Sequence, residues 1–275
     1  MFDESKRLKG RIIVEKIFDI SNRVALITGG AGLLGVQFAK TLISYGAKVI
    51  LTDCDFNECK KKVSELSSSN IMAMKLDVTS KTDWDNVTGE IFKKFGSIDI
   101  LVNSAAYTNK TKTDSFNDTF ENTTLESWNQ MLNVNLTGSF LGCQSVSKYM
   151  KKNQKGSIIN ISSLYGVVSP NHKMYPGTGI VQPVAYTVSK HGIMGLTKYA
   201  ATWLAEAGVR VNSITPGGIF DNHSELFLDR FGQLSPSGRM TKKEELDGAL
   251  IYLASDASSS VVGQNIVVDG GWTVW

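Results

Sequence analysis

Short apolar runs recur along the chain, separated by longer stretches in which apolar and polar residues alternate at helical spacing. The runs are Val24-Ala25-Leu26-Ile27-Thr28, Lys48 to Thr52, Ile71 to Leu76, Ile98 to Val102, Gly156 to Ile161, Val209 to Ile214 and Asn265 to Val268. The first two lack the in-out alternation of a half-exposed strand and read as strands covered on both faces; the others read as further strands. Between them, Phe38, Ala39, Leu42 and Ile43 fall on one face of a helix, as do Trp84, Val87, Ile91 and Phe92 in residues 80–95. Further helices are expected from Asp55 to Leu66, Leu125 to Met150, Tyr186 to Ala207 and Lys243 to Ala254. Residues 107–123 read as a polar loop and 218–240 as a long irregular segment. Strands and helices in strict alternation predict an α/β chain, a single-domain doubly wound parallel sheet with helices on both faces. Residues 1–22 are charged and weakly patterned and read as an N-terminal extension to one domain over 23–275.

Composition narrows the class without naming a chemistry. Of the 275 residues 42% are hydrophobic and 20% charged, which is ordinary for a soluble globular protein. A net charge of +3 with no basic block gives nucleic-acid binding no support, and no apolar run approaches the ~20 residues of a membrane span. The start, Met1-Phe2-Asp3-Glu4, does not resemble a signal peptide. Cys54, Cys59 and Cys143 are odd in number and form no CxxC, so reduced thiols and a cytoplasmic location are expected. No His, Cys, Asp and Glu cluster has ligand spacing, and no metal is expected.

The first chemical signal follows the first strand. Gly29-Gly30-Ala31-Gly32-Leu33-Leu34-Gly35 joins strand to helix with Gly30-x-Gly32-x-x-Gly35 spacing. Such a loop lets backbone approach a pyrophosphate, while the helix N-terminus offers free N–H groups and positive dipole. The next strand ends at Asp53, 24 residues after Gly29, where a carboxylate can accept hydrogen bonds from ribose hydroxyls. Strand, glycine loop, helix, strand and acid together predict a Rossmann-type dinucleotide site. Asp53 would repel a 2′-phosphate, and no Lys or Arg lies between Thr28 and Val36 or directly after Asp53, which favours NAD over NADP.

The second signal is Tyr186-Thr187-Val188-Ser189-Lys190. Four residues apart on a helix, the phenol and the ammonium share a face, and a nearby cation lowers a phenol's pKa towards the range useful for proton transfer. Of the chain's eight tyrosines only Tyr186 has a Lys at this spacing. Taken alone the pair is weak, since amphipathic helices produce such spacings by chance.

Taken together, the motifs resemble the short-chain dehydrogenase/reductase family over residues 22–273. The likeness rests on Thr28 to Gly35, Asp77-Val78, Asn103-Ser104-Ala105-Ala106, Asn135, Ser163, Tyr186 with Lys190, Pro216-Gly217 and Asp269-Gly270-Gly271, in that order. It implies hydride transfer between a nicotinamide and a carbinol or carbonyl carbon, with Tyr186 as general acid/base. By the same resemblance Lys190 lowers the Tyr186 pKa and holds the nicotinamide ribose, Ser163 (or the adjacent Ser162) orients the substrate oxygen, and Asn135 supports a proton-relay water. The implied cofactor contacts are Gly29, Ala31, Gly32, Leu33, Leu34 and Gly35 in the loop, Asp53, Asp77 near the adenine with Val78, Asn103, and Pro216, Gly217 and Ile219 beside the nicotinamide. A homodimer or homotetramer is also implied. The chain departs from the family pattern at Leu33, where shorter members usually have Gly, at Ser104-Ala105-Ala106, and in the 23 residues separating Ser163 from Tyr186. Its length and ending assign it to the shorter-chained branch.

The substrate is the least legible element. The extra length, about residues 167–182, carries His172, Lys173 and hydroxyls, and faces a lid, about 218–240, with Asn222, His223, Arg230 and Arg239 beside Phe220, Leu226, Phe227 and Phe231. That polar content favours a sugar or sugar derivative, and the insert resembles oxidoreductases of flagellin or surface-glycan modification. The alternatives are a nucleotide-sugar epimerase or dehydratase, a 3-ketoacyl reductase, a polyol dehydrogenase and, in a different class, a non-catalytic cofactor-sensing protein on the same fold.

Overall fold

The computed structural model describes residues 16–107 and 119–275. Most of the N-terminal extension and of the polar loop expected at 107–123 lies outside the described residues. Among the described residues seven strands, β1 (Val24–Thr28), β2 (Lys48–Asp53), β3 (Ile71–Lys75), β4 (Ile100–Asn103), β5 (Gly156–Ile161), β6 (Val209–Pro216) and β7 (Asn265–Val268), form one sheet in the order β3-β2-β1-β4-β5-β6-β7. Every pairing is parallel, in continuous register such as Leu26 beside Ile50 and Leu101.

The connecting helices are α1 (Leu33–Ser44), α2 (Phe56–Leu66), α3 (Lys81–Phe95), α4 (Leu125–Leu132), α5 (Gly138–Asn153), α6 (Val184–Leu204), α7 (Glu225–Leu234) and α8 (Asp247–Ala254). Alternate strand residues feed two cores. Ala25 and Ile27 pack with Phe38 and Leu42 of α1 and with Leu250 and Ile251 of α8. Val24 and Leu26 pack on the other face with Trp84 and Ile91 of α3, Val146 and Met150 of α5 and Leu204 of α6. Helix starts carry the side chains that satisfy free N–H groups: the Glu58 N–H donates to Asp55 at 3.0 Å, and the Asp83 N–H donates to Ser80 at 3.1 Å.

Two expectations are corrected. The helix expected from Leu125 to Met150 is broken by a π-helical turn at Asn133–Thr137, with α4 before it and α5 after it. Inside that turn the Asn135 side chain accepts the Tyr107 N–H at 2.6 Å and donates to Ser189 Oγ at 3.1 Å, contacts that bind the turn to its neighbours. The segment 218–240 is not irregular throughout, because α7 lies within it. Ser224 accepts the Phe227 N–H at 3.4 Å as its cap, and Phe227 and Phe231, one turn apart, face inward.

The strand order reverses between β1 and β4. Chains leaving the carboxyl ends of these two strands diverge, opening a crevice at that edge of the sheet.

Candidate active site

A continuous cleft of about 1520 Å³ runs across those strand ends. This exceeds the ~300–1,000 Å³ of a pocket for one drug-sized ligand, leaving room for a dinucleotide and a second molecule. Its first wall is the glycine loop. Gly29 has φ +67°, and a Cβ there would stand 2.8 Å from the Ala105 backbone. At Gly35 a Cβ would stand 2.2 Å from the Gly29 carbonyl oxygen, so only glycine lets α1 begin this close to the loop. The first turn of α1 contains no acid, and Gly32 supplies no side-chain cap, which leaves the N–H groups open to an anion.

Asp53 ends β2 and closes this wall. One carboxylate oxygen accepts the Ala31 N–H at 3.0 Å and the other accepts the Asp55 N–H at 3.0 Å. Thr28 Oγ1 accepts the N–H groups of Ser104 and Ala105 at 3.1 and 3.0 Å, tying the loop after β4 to β1. Asp77 and Val78 after β3 and Pro216, Gly217 and Ile219 after β6 line the same cleft.

At the other end Ser163, Tyr186 and Lys190 meet. Gly166 makes this possible: a Cβ there would lie 2.3 Å from Ser162 Oγ and 2.7 Å from the Lys190 carbonyl. Ser162 donates to that carbonyl at 3.1 Å, which occupies its proton, whereas the Ser163 hydroxyl acts on Tyr186, where it works to lower the phenol's pKa. Lys190 is buried, and its Nζ donates to the Ile161 carbonyl at 2.9 Å. That is its one hydrogen-bond acceptor among the described residues, so an ammonium with three donors still has two to give. Burial pushes its pKa down to about 8.

Lys190, expected to draw the Tyr186 pKa down, does not set its direction in the structure. Removal from water raises the Tyr186 pKa, and the Ser163 hydrogen bond offsets only part of the rise. The ammonium lies 5.6 Å from the ring centroid, aimed at the Ile161 carbonyl rather than at the phenol oxygen.

Of the residues expected at the site, Asn103 and Asn135 do not line the cleft. Asn103 is buried, donating to Asn160 Oδ1 at 2.8 Å and to the Ser139 carbonyl at 3.3 Å. Asn135 is fully buried in the π turn. His172 and Lys173 are exposed and lie outside the cleft wall. The insert instead contributes Tyr175, Ile180, Val181 and Gln182, and the lid contributes Asp221, His223, Phe227, Phe231 and Met240. Tyr165, beside Ser163, completes an aromatic patch that the sequence reading overlooked. The Phe227-to-Phe231 spacing, one helical turn, was its available signal.

An open helix N-terminus, a glycine cradle, a carboxylate at the strand end and a Ser, Tyr and Lys set define a nicotinamide-dependent α/β oxidoreductase. A family model described as enoyl-(acyl carrier protein) reductase matches residues 30–273. The chain belongs to the short-chain dehydrogenase/reductase family. It is 32% identical over 256 residues to the post-translational flagellin modification protein A of Campylobacter coli, covering 92% of this chain and 99% of that one. It is also 32% identical over 262 residues to trans-4-hydroxycyclohexanecarboxylate dehydrogenase of Sinomonas cyclohexanicum, covering 92% and 94%. Among solved structures, a short-chain dehydrogenase from Leptospira borgpetersenii with bound NAD+ superposes with TM-score 0.81 at 32% identity, covering 93% and 94% of the two chains. A gluconate 5-dehydrogenase from Burkholderia cenocepacia in complex with NADP and tartrate superposes with TM-score 0.85 at 27% identity, covering 95% and 99%.

Proposed function

We propose that this protein interconverts a cyclic secondary alcohol and its ketone, using NAD. The observation that carries the reading is the buried Lys190 ammonium, with unused donors at a cleft wall, between the glycine loop and the Ser163–Tyr186 pair. A buried cation is costly unless it meets a partner, and a ribose hydroxyl supplies one. The glycine loop and the α1 N-terminus would hold the pyrophosphate, Asp53 the adenosine ribose and Lys190 the nicotinamide ribose. When bound, the nicotinamide accepts or donates hydride at its ring carbon, chemistry no side chain provides.

The remaining work belongs to the chain. Tyr186 holds its proton at neutral pH and gives it to a ketone oxygen; in the reverse direction it is the phenolate, formed as pH rises, that takes a proton from an alcohol. Ser163 donates to the same oxygen as its charge changes. Asn135 touches neither; through Tyr107 and Ser189 it fixes the wall from which Tyr186 projects, and it is a positioning residue.

NAD is preferred because Asp53, Asp55 and Asp77 all face this end of the cleft, while Lys190 is the only Lys or Arg among the described residues lining it. A 2′-phosphate would meet carboxylates without a cation. Titration with both oxidised cofactors tests this, and equal or tighter binding of the phosphorylated form overturns it.

The substrate end supports a ring with an apolar face. Tyr165, Tyr175, Ile180, Val181 and Phe227 line it, with Glu126, Asn129, Gln130 and Gln182 as a polar margin. A relative's cyclohexane-ring substrate and another's role in flagellin modification both fit such a wall, and a sugar derivative stays within the class. NADH formation from cyclohexanols, inositols, nucleotide sugars and hydroxysteroids, beside β-hydroxyacyl thioesters, tests the reading. Preference for an open-chain thioester rejects it.

A further inference from the structure

Tyr165 and Tyr175 approach the cleft from different elements, one from the turn after β5 and the other from the insert, and their hydroxyls hydrogen-bond each other. Both residues line the cleft, yet they are only 6% and 8% exposed. Buried hydroxyls are normally satisfied, so the fate of each proton matters. Two phenols carry two protons, and the bond between them uses one. Among the described residues neither hydroxyl has another hydrogen-bond partner. The tyrosine that accepts therefore keeps its own O–H, and both residues line the cleft.

The pair is held firmly. Tyr175 packs against Phe227, whose ring centroid is 6.2 Å away, and Arg230 of the lid helix donates to the carbonyls of Met174, at 3.0 Å, and Pro176 on either side of it. Tyr165 is fixed at its backbone, where its N–H donates to Ser163 Oγ at 3.2 Å. Ionisation is not the use of these groups. Burial raises the pKa of both, that of Tyr165 to about 12, so both remain protonated donors across the working pH range.

We propose that Tyr165 and Tyr175 form a second polar anchor, one phenol orienting the other so that a single O–H meets an acceptor oxygen on a substrate bearing a second oxygen function. The site would then select a diol or a hydroxy-ketone over a ring with one hydroxyl. Tyr186 and Ser163 take the reacting oxygen and the tyrosine pair takes the other. This specificity assignment rests on the hydride-transfer reading of the cleft.

The test uses the full chain saturated with NAD, with cyclohexanol, cyclohexane-1,3-diol and cyclohexane-1,4-diol as probes, following both binding by calorimetry and NADH formation. The wild type should bind at least one diol roughly three- to tenfold more tightly than cyclohexanol, the range one neutral hydrogen bond supplies. The double variant Tyr165→Phe, Tyr175→Phe keeps both rings and should remove that preference, weakening the diol relative to cyclohexanol, while NAD binding shows that the fold is intact. His172→Ala, outside the cleft, should change neither. No diol preference in the wild type, or one that survives the double variant, overturns the proposal. A preference that behaves as expected in binding, with no NADH formed from any probe, supports the anchor and counts instead against the hydride-transfer reading.

Discussion

The Lys190 ammonium lies 5.6 Å from the centroid of the Tyr186 ring and gives a hydrogen bond to the Ile161 carbonyl, not to the phenol. The two residues therefore share a helix face without sharing a proton, and their tasks separate. Tyr186→Phe should lower kcat by roughly a hundred- to ten-thousandfold, the usual worth of general acid/base catalysis, with NAD affinity within about twofold of wild type. Lys190→Met should weaken NAD binding as well as turnover. Retention of most activity in the Phe variant, measured by NADH absorbance, would show that another group moves the proton.

The raised Tyr186 pKa sets the direction of the pH dependence. At neutral pH the phenol is protonated, ready to donate to a ketone and unable to accept from an alcohol. Alcohol oxidation should therefore climb about tenfold per pH unit from pH 7 towards the phenol's pKa, while ketone reduction stays level and then declines. Oxidation that is flat from pH 7 to 9 in kcat would mean that bound cofactor has brought the phenol's pKa below that window.

Lys190 also leaves a mark on stability. Its folded pKa of about 8 lies below the ordinary 10.5, so the unfolded chain binds more protons between those values. Stability from this group must then rise with pH across that window, with the full penalty present below pH 8. The difference corresponds to roughly 3 kcal/mol at about 1.4 per tenfold change in proton affinity. Lys190→Met removes it and also removes the bond to Ile161. Urea unfolding of the cofactor-free proteins should show the variant's stability relative to wild type falling by about 2–3 kcal/mol from pH 7 to pH 10. Cys59 and Cys143, whose thiols burial pushes up to about 12, work in the opposite sense above pH 9 but are common to both proteins. A difference that does not vary with pH would show that the ammonium is not desolvated.

Much of this architecture was legible because it depends on local pattern. Seven apolar runs became seven parallel strands, and Asp55 and Ser80 cap the helices they precede. The glycine loop, Asp53, Ser163 and Tyr186 carry their placement in short motifs tied to strand ends. What escaped was long-range. The π turn at Asn135 is held by Tyr107 and Ser189, 28 and 54 positions away, and nothing in the sequence around Asn135 announces it. The insert was read from its polar residues, yet His172 and Lys173 face solvent while Tyr175 turns inward to Tyr165 and Phe227. In a loop, side-chain polarity alone does not reveal which residues face a neighbouring element, because no fixed period links position to face.

Asp53 does two jobs that one substitution can separate. Its oxygens accept the Ala31 and Asp55 N–H groups, both at 3.0 Å, and so hold the mouth of the glycine loop; on the proposed NAD reading its charge also repels a 2′-phosphate. Asp53→Ala loses both functions and confounds them. Asp53→Asn keeps one acceptor oxygen while removing the charge. Across ~5 Å at an effective dielectric near 20, a unit-charge repulsion is about 3 kcal/mol before salt and solvent weaken it. The Asn variant should thus narrow the NAD-over-NADP affinity ratio by roughly ten- to a hundredfold, mainly through tighter NADP binding, and the shift should shrink as salt is raised. If the ratio narrows only because NAD binding collapses, at all salt concentrations, Asp53 acts by shaping the loop and not by its charge.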